Sequence, residues 1–354
     1  MTFLLKDLSG ISIEKSTRER ESLIQGGMHY SEMLPVEYKP TEEYMKLFYA
    51  SLEEEKRKVA VAVGTVAEQI VQTRGLNTVL CSLARAGTPI GVLIKRYIER
   101  KYEIALPHYS ISIIRDRGID ENALHYILRH HPGSGVAFID GWTGKGAITN
   151  ELTRAVRTFN EANGTELSAE LAVLADPGYC SSLFGTREDF LIPSACLNST
   201  VSGLVSRTVL NGKWIGKEDF HGAKYYADLR EEDVSNLYVD TVAAEFPAAE
   251  KQAAETAARL LKKREEPDWR GLAAIKSIQN DFGIDNTHFI KPGVGETTRV
   301  LLRRVPWKIL IQPGSKHRLK HIMLLAEERG VPIEEYTDMS YSCCGLIRPV
   351  GRGK

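Results

Sequence analysis

The sequence of 354 residues has few cysteines, no long apolar run and no net charge. Its five cysteines show no Cys-x-x-Cys spacing, which argues against a disulfide framework and against a zinc ribbon. No stretch reaches ~18 uninterrupted apolar residues, so we expect no membrane span. The N-terminus lacks a signal-peptide pattern, because Lys6 and Asp7 interrupt its first apolar run. We therefore expect a reduced, cytoplasmic protein without a membrane partner.

Residues 136–146 have the general form of an anion-binding loop, although two common nucleotide signatures are absent from them. A buried strand runs into Asp140, and a loop then opens a helix. The loop residues are Thr143, Gly144, Lys145 and Gly146. Gly follows Lys145 where a Walker loop has Ser or Thr, and Thr149 stands where the dinucleotide fingerprint needs a third glycine. Glycines and a helix N-terminus still favour phosphate binding.

A second loop of this kind lies between the predicted strand Thr78–Leu83 and the next helix. It contains Arg85, Ala86 and Gly87, where a guanidinium and backbone amides can hold a diphosphate together. Two such loops suggest one ligand that carries both phosphate groups and sugar hydroxyls, with Asp140 on the hydroxyls.

A long helical pattern precedes Gly75, and short apolar segments alternate with helical patterns after it. The predicted strands are Thr78–Leu83, Tyr102–Ile114, Gly135–Ile139 and Glu170–Ala175, and the predicted helices are Glu43–Val71, Thr88–Arg100, Asp120–His130 and Ala147–Asn160. This alternation is typical of an α/β fold in which helices cover both faces of a parallel sheet. Ligands bind such sheets at the carboxyl ends of the strands, where Arg85 and Asp140 are expected. Residues 177–225 are expected to cap this site.

The pair of loops resembles the loops of type I phosphoribosyltransferases. In that family, a strand followed by x-Arg-Gly-Gly-x-Pro binds pyrophosphate, and a later acidic pair followed by Thr-Gly-x-Thr binds the ribose 5-phosphate. The match covers roughly residues 75–210 and implies a parallel sheet of that type. The acidic pair is reduced to Asp140 beside Gly141, and Gly146 stands where Thr is expected. The resemblance therefore leaves a single carboxylate for the ribose.

A closer resemblance extends over nearly the whole chain. Residues 27–35, Gly-Met-His-Tyr-Ser-Glu-Met-Leu-Pro, look like the phosphoribosyltransferase-like proteins of bacterial tellurium-resistance (ter-type) stress operons. This resemblance implies a glycosyl transfer assisted by Mg²⁺ from a phosphoribosyl diphosphate-like donor, which makes or modifies a nucleoside-like metabolite. Asp140 would anchor the ribose, while Arg115 and Arg117 would close over the diphosphate from a mobile loop. The expected substrate is a phosphorylated sugar or nucleotide.

The C-terminal part is basic, with twelve Lys and Arg against six Asp and Glu from Lys291 to Lys354. Residues 293–304 resemble the L7Ae/Pelota fold, in which a Gly-x-x-Glu-x-Thr-Lys-like turn opens a helix and a Gly-Val-Pro follows, here at 330–332. The resemblance implies RNA as a partner, bound through phosphate contacts at a helix N-terminus. The predicted RNA-binding residues are Gly295, Glu296, Thr298, Arg299 and Arg303.

Two alternatives to glycosyl transfer stay open. A cysteine peptidase, a description also applied to this bacterial group, needs a thiolate activated by histidine. Cys196 and Cys180 are the alternative nucleophiles, with His221, His130 and His131 as partners, although no local signature surrounds either cysteine. The other alternative is a non-catalytic sensor that binds nucleotide and RNA.

The expected organisation has three parts. Residues 1–245 form a phosphoribosyltransferase-like domain with an N-terminal extension and a cap, and 246–285 form a helical connector. Residues 286–354 form a small α/β domain of the Pelota/L7Ae type, with a predicted helix at 315–330 and a final strand at 345–350. His317 and His321 share a helical face without a Glu between them, so no metal site is predicted there. The sequence leaves open whether the chain forms a homo-oligomer.

Overall fold

The computed structural model describes residues 1–347, without the side chains of Thr17 and Glu21. Its N-terminal part contains short elements: β1 (Thr2–Phe3), β2 (Lys6–Asp7), β3 (Glu14–Lys15), α1 (Thr17–Gln25) and β4 (Leu34–Pro35). Helix α1 begins at a capping box, because the Ser16 hydroxyl accepts from the Glu19 amide while the Glu19 carboxylate accepts from the Ser16 amide.

Helices and strands then alternate along the chain. In order they are α2 (Glu42–Arg74), β5 (Thr78–Ala84), α3 (Gly87–Tyr102), β6 (His108–Ile114), β7 (Gly118–Ile119), α4 (Glu121–His130), β8 (Gly135–Trp142), α5 (Ala147–Asn163), β9 (Leu171–Ala175) and β10 (Leu183–Thr186). The predicted strand Tyr102–Ile114 is wrong in its first half, since α3 continues to Tyr102 and β6 begins at His108.

The remaining elements are mostly helical before a second sheet forms. They are β11 (Gly222–Ala223), α6 (Ser235–Ala243), α7 (Phe246–Lys262), α8 (Arg270–Asp281), β12 (Ile290–Pro292), α9 (Val294–Arg303), β13 (Pro306–Ile311), α10 (Lys320–Glu328), β14 (Ile333–Glu335) and β15 (Cys343–Ile347). The predicted helix at 315–330 divides into a 3-10 turn, Lys316–Arg318, and α10. Residues 348–350 of the predicted final strand lie outside the described residues.

The large sheet has the order β1-β6-β5-β8-β9-β10, and all of these neighbours are parallel. Strand β7 pairs antiparallel with β6 at the end of that strand. Strands β5 and β8 are buried almost throughout, as expected for strands covered on both faces. The structure thus confirms a mixed α/β fold with a mostly parallel sheet.

Two hydrophobic cores lie on the two faces of this sheet. Helices α2, α3, α6 and α7 contribute to one core, and α4 and α5 contribute to the other. The first core continues into the C-terminal part through Val294, Leu301 and Ile311. The small sheet there has the order β12-β15-β13-β14, and α8 packs against it.

Within residues 1–347, no helix is both long and apolar enough for a membrane crossing. The domain boundaries at 245 and 285 stay predictions.

Candidate functional site

A cavity of about 280 Å³ lies at the carboxyl ends of the central strands. Strand β5 pairs in parallel with both β6 and β8, so the three strand ends meet at one edge. The lining comes from residues 83–86, 89, 113–114, 140, 142 and 148, from the segment between 194 and 202, and from Tyr30, Arg207, Thr208 and Arg299. Part of the predicted cap, residues 177–225, therefore lines this cavity.

The turn after β5 brings Arg85 and Ala86 to the cavity wall. The Arg85 guanidinium donates to the Val205 carbonyl at 3.2 Å and lies 3.8 Å from a carboxylate oxygen of Glu37. Burial lowers the pKa of Arg85, and the Glu37 carboxylate opposes that shift. Gly87 does not line the cavity, but a methyl group there would overlap the Ile139 carbonyl oxygen. Glycine therefore lets this turn pack directly on β8.

Asp140 lies near the carboxyl end of β8, within its buried part, and lines the cavity. Its carboxylate accepts a hydrogen bond from the Gly141 amide at 2.7 Å. Burial raises the pKa of Asp140 to about 7, so this carboxyl group both gives and takes a proton near neutral pH. Within the described residues, it is the single carboxylate in the lining.

The sequence did not single out Arg207, and it placed Arg299 with RNA, yet both line the cavity. Burial, together with the nearby Arg20 and Arg85, lowers the pKa of Arg207 to about 10. Its guanidinium lies 5.7 Å from the Tyr30 ring centre, and the Arg299 guanidinium lies 5.7 Å from the Trp142 ring centre. Neither approach could be read from the sequence, because both arginines come from segments distant from the strand ends.

The second predicted phosphate loop does not line this cavity. The Thr143 hydroxyl donates to Asp176, and the Gly144 carbonyl accepts from the Tyr341 hydroxyl at 3.0 Å. The Lys145 ammonium donates to the Thr287 carbonyl, and burial lowers the pKa of Lys145 to about 8. The ring of Trp269 packs on Gly146. Protein groups thus occupy the loop expected to hold a ribose phosphate.

The loop with Arg115 and Arg117 does not line the cavity either. In this part of the chain the lining residues are Ile113 and Ile114, at the end of β6. The Glu151 carboxylate accepts from the amides of Asp116 and Gly118 at 2.8 and 2.9 Å.

The two arginine side chains of this loop have partners in the N-terminal part. The Arg115 guanidinium lies 5.6 Å from the Tyr30 ring centre, and the Arg117 guanidinium pairs with Glu32 at 3.3 Å. Neither arginine is among the described residues that line the cavity, although Arg115 lies against Tyr30, which does. The predicted role of the two arginines in closing over a diphosphate stays a prediction.

The predicted RNA-binding residues lie on α9, which packs against the segment that follows β10. The Arg299 guanidinium donates to the carbonyls of Ala195 and Leu197 at 2.9 and 3.4 Å. The Arg303 guanidinium donates to the Cys196 carbonyl at 3.5 Å and to the Tyr44 hydroxyl at 2.6 Å.

The other three predicted RNA-binding residues have protein contacts as well. Gly295 faces Ala195, the Glu296 carboxylate pairs with Arg299 at 3.1 Å, and the Thr298 hydroxyl donates to the Val294 carbonyl at 2.8 Å. Helix α9 is therefore hydrogen-bonded to, and packed against, the first part of the chain.

Both candidate thiols are buried. Burial raises the pKa of Cys196 to about 11, while Ser51, Arg299 and Arg303 beside it lower that pKa. Burial and the Asp176 carboxylate raise the pKa of Cys180 to about 12. The charged neighbours of Cys196 are both arginines, whereas Cys180 has the carboxylates of Asp176 and Asp268, which raise its pKa, and Arg187, which lowers it.

The predicted histidine partners lie elsewhere. The His221 ring bonds the Ser112 hydroxyl at 2.9 Å, His130 bonds the Tyr126 carbonyl at 2.8 Å, and His131 bonds the Tyr109 hydroxyl at 2.9 Å. Among the side chains that the structure describes, no hydrogen bond joins a histidine to either thiol.

No group of three or more His, Cys, Asp or Glu that could hold a metal ion occurs among the described residues. His317 bonds the Gly314 carbonyl at 2.9 Å, and His321 bonds the Thr298 hydroxyl at 3.2 Å. The expected Mg²⁺ stays a prediction.

Two family models match this chain. The model for the tellurite-like stress resistance cysteine protease StiP matches residues 1–243, and the model for the PELOTA RNA binding domain matches residues 269–349. A protein named cysteine protease StiP, from Acinetobacter baylyi, is 33% identical over 365 residues, which cover 100% of this chain and 93% of that protein. Both of the long matches therefore carry a protease description.

Among solved structures, the chain is matched to a NifS-like protein from Rickettsia africae. The identity is 12%, the match covers 98% of this chain and 94% of that one, and the TM-score is 0.22. A TM-score this low carries no argument about the fold.

The comparisons contradict the expected phosphoribosyl transfer, because the family and the relative are both described as cysteine proteases. The structure offers a physical reason for the error. The sequence resemblance assumed two open loops at one edge, whereas Tyr341 and Trp269 cover the second loop. The prediction was wrong because residues far along the chain fill that loop.

Proposed function

This chain belongs to the StiP family of tellurite-like stress resistance cysteine proteases and carries a Pelota RNA-binding domain, and we propose that it is a cysteine peptidase whose substrate binds in the arginine-lined cavity. One observation carries the choice of thiol. Of the five cysteines, Cys196 alone is the direct chain neighbour of a lining residue, Leu197.

The charges around Cys196 support this assignment. In the structure as it stands, burial keeps the thiol protonated, and burial is the one cause that raises its pKa. Movement of the 194–202 segment would admit water to the sulfur and so remove the burial that raises its pKa, which favours the thiolate. Cys180 would not gain in the same way, because the Asp176 carboxylate raises its pKa as well.

Asp140 supplies the acid–base group of the proposed reaction. It would accept the Cys196 thiol proton as the sulfur attacks the peptide carbonyl carbon, and would return that proton to the departing amine as the C–N bond breaks. Water would then hydrolyse the thioester, releasing the new carboxyl group and restoring the thiol. A pKa near 7 suits both directions of transfer at neutral pH.

The test measures cleavage of fluorogenic peptides and of unfolded casein by wild type, Cys196→Ser and Cys180→Ser. We expect Cys196→Ser to lose cleavage and Cys180→Ser to retain it. Loss in Cys180→Ser alone would contradict the choice of thiol. An inactive wild type across substrates and pH would contradict the peptidase function itself.

We further propose that the C-terminal part binds RNA, which the Pelota domain match at residues 269–349 supports. Arg299 and Arg303 are the expected phosphate contacts, although each now donates to carbonyls of the first part. Fluorescence anisotropy with structured RNA should show affinity that falls steeply with salt, because phosphate contacts release counterions. Arg299→Ala should weaken binding more than Lys251→Ala on exposed α7. An affinity independent of salt would contradict this proposal.

A further inference from the structure

We propose that the cavity is a carboxylate-binding pocket, so that the peptides it accepts present an acidic side chain to Arg207. This inference rests on the proposed peptidase function and names the class of its substrate. It follows from the charge of the lining and not from the identity of the thiol.

Three guanidinium groups converge on this cavity from distant parts of the chain. Arg85 follows β5, Arg207 lies in the irregular region after β10, and Arg299 lies on α9. Like charges brought together in a partly dry space repel one another, and here Arg20 and Arg85 lower the pKa of Arg207 in addition to burial, while Glu37 opposes this shift without cancelling it. An anion in the cavity would remove this repulsion.

Two of the three arginines that line the cavity have a carboxylate as an ion-pair partner, and the third, Arg207, has none among the described side chains. Glu37 lies 3.8 Å from Arg85, and Glu296 lies 3.1 Å from Arg299. Among the side chains that the structure describes, Arg207 has no ion pair, and its Nε atom is buried without a hydrogen-bond partner. Buried charges are normally paired, so the pocket is incomplete without a carboxylate or a similar anion.

Asp140 does not supply that anion. Burial raises its pKa to about 7, so the carboxyl group is protonated in a large fraction of molecules at neutral pH. No described cation forms an ion pair with it, and its hydrogen bond is to the neighbouring amide of Gly141.

The shape and the remaining lining fit an amino-acid side chain. A volume of about 280 Å³ is at the lower end of ligand pockets, which are roughly 300–1,000 Å³. Apolar groups form much of the wall, among them Ile113, Ile148, Val201 and Trp142. These surfaces can hold the methylene groups of Glu, while a guanidinium binds a carboxylate through two parallel hydrogen bonds.

The experiment compares two isosteric peptides, acetyl-Ala-Glu-amide and acetyl-Ala-Gln-amide, by calorimetry on the full-length Cys196→Ser variant. We expect the Glu peptide to bind at least tenfold more tightly. Arg207→Gln in the same background should abolish that preference, whereas the control Arg230→Gln, on an exposed side chain, should keep it. Equal affinity for the two peptides would overturn the proposal.

Two further arms make the result decisive. Inorganic phosphate that binds in an Arg207-dependent way, while the Glu peptide does not, would overturn the carboxylate assignment in favour of a phosphorylated ligand. If Arg207→Gln fails to fold, the neutral Arg207→Met replaces it and should likewise abolish the preference for the Glu peptide.

Wild-type cleavage separates this inference from the function on which it rests. Binding of the Glu peptide without cleavage of any substrate would contradict the peptidase function and leave the pocket assignment standing. Equal cleavage of acidic and neutral substrates would contradict the pocket assignment and leave the peptidase function standing.

Discussion

At the level of single residues, the cavity holds a carboxyl group and three guanidinium groups without joining them directly. Arg85 and Arg299 have other carboxylates, and Asp140 bonds only to a backbone amide among the described groups. Burial then acts on both kinds of group in the direction of neutrality, because it raises the pKa of Asp140 and lowers that of Arg207. Such opposed shifts at one cavity are typical of functional sites.

Asp140→Asn should stabilise the folded protein in a pH-dependent way. The folded-state pKa of Asp140, about 7, lies above the ordinary value of an aspartate in an unfolded chain, 3.8, so the folded form keeps a proton that the unfolded chain loses. The wild-type cost therefore grows from pH 4 to pH 7 and is constant above that, at roughly 4 kcal/mol as an upper bound. The variant should gain most at pH 8 and little at pH 4, as measured by urea unfolding.

The exposed Asp228→Asn is a suitable control for this experiment and should shift little at either pH. A gain for Asp140→Asn that is the same at pH 4 and pH 8 would show that burial does not hold the proton on this carboxyl group.

The positions of Arg85 and Asp140 were predictable because both follow buried strands, and parallel neighbours end at one edge. Arg207 was not predictable, since it lies in an irregular region whose path no periodicity fixes. The coverage of Gly144 and Gly146 was also hidden from the sequence. It depends on Tyr341 and Trp269, which approach only after the C-terminal part has folded against the first.

Among the elements, the turn between β5 and α3 depends on the absence of a side chain at Gly87. A methyl group there would overlap the Ile139 carbonyl oxygen and lie 3.1 Å from the Asp140 Cα atom. Gly87→Ala should therefore cost about 1–3 kcal/mol of unfolding free energy, because both close neighbours are backbone atoms of a buried strand. It should also weaken ligand binding, since β8 carries Asp140.

Thermal unfolding checks the stability change, with Gly10→Ala as the matched control because no atom lies within 4 Å of the added methyl group there. An unchanged midpoint for Gly87→Ala would mean that the turn and β8 can separate without loss.

Hydrophobic periodicity predicted the helix α2 well, but it placed the start of the strand β6 too early. The pattern predicted a helix at 43–71, and α2 is Glu42–Arg74. The run Ile104–Leu106 suggested an early start for the next strand, but α3 extends to Tyr102. Glu103 then ends it in a left-handed conformation with φ of 57°. A short apolar run does not distinguish a strand from a connection packed on a core.

At the scale of the whole molecule, docking of the C-terminal part against the first part determines both the lining of the cavity and the contacts of the predicted RNA-binding residues. Asp189 accepts hydrogen bonds from the amides of Val294 and Ser342 at 2.9 and 2.8 Å. Arg299 and Arg303 hold the carbonyls of residues 195–197 in the same interface. The C-terminal part therefore completes the cavity with Arg299 and also keeps the Cys196 segment closed.

RNA bound through Arg299 and Arg303 must compete with this docking, because the same guanidinium groups cannot hold carbonyls and phosphates at once. A saturating pool of structured RNA hairpins should raise the rate of Cys196 alkylation by iodoacetamide several-fold, as followed by mass spectrometry of the labelled peptide. Cys81, buried within β5, should not respond and serves as the internal control.

Arg303→Ala should raise Cys196 alkylation without RNA, since it removes the hydrogen bonds to the Cys196 carbonyl and to Tyr44. If RNA binds tightly and Cys196 reactivity does not change, then RNA uses another surface and the interface stays closed. If Cys81 responds as well, the effect is general unfolding. A response confined to Cys196 would mean that one helix face serves either the RNA or the thiol segment, and that occupancy by RNA controls access to the cavity.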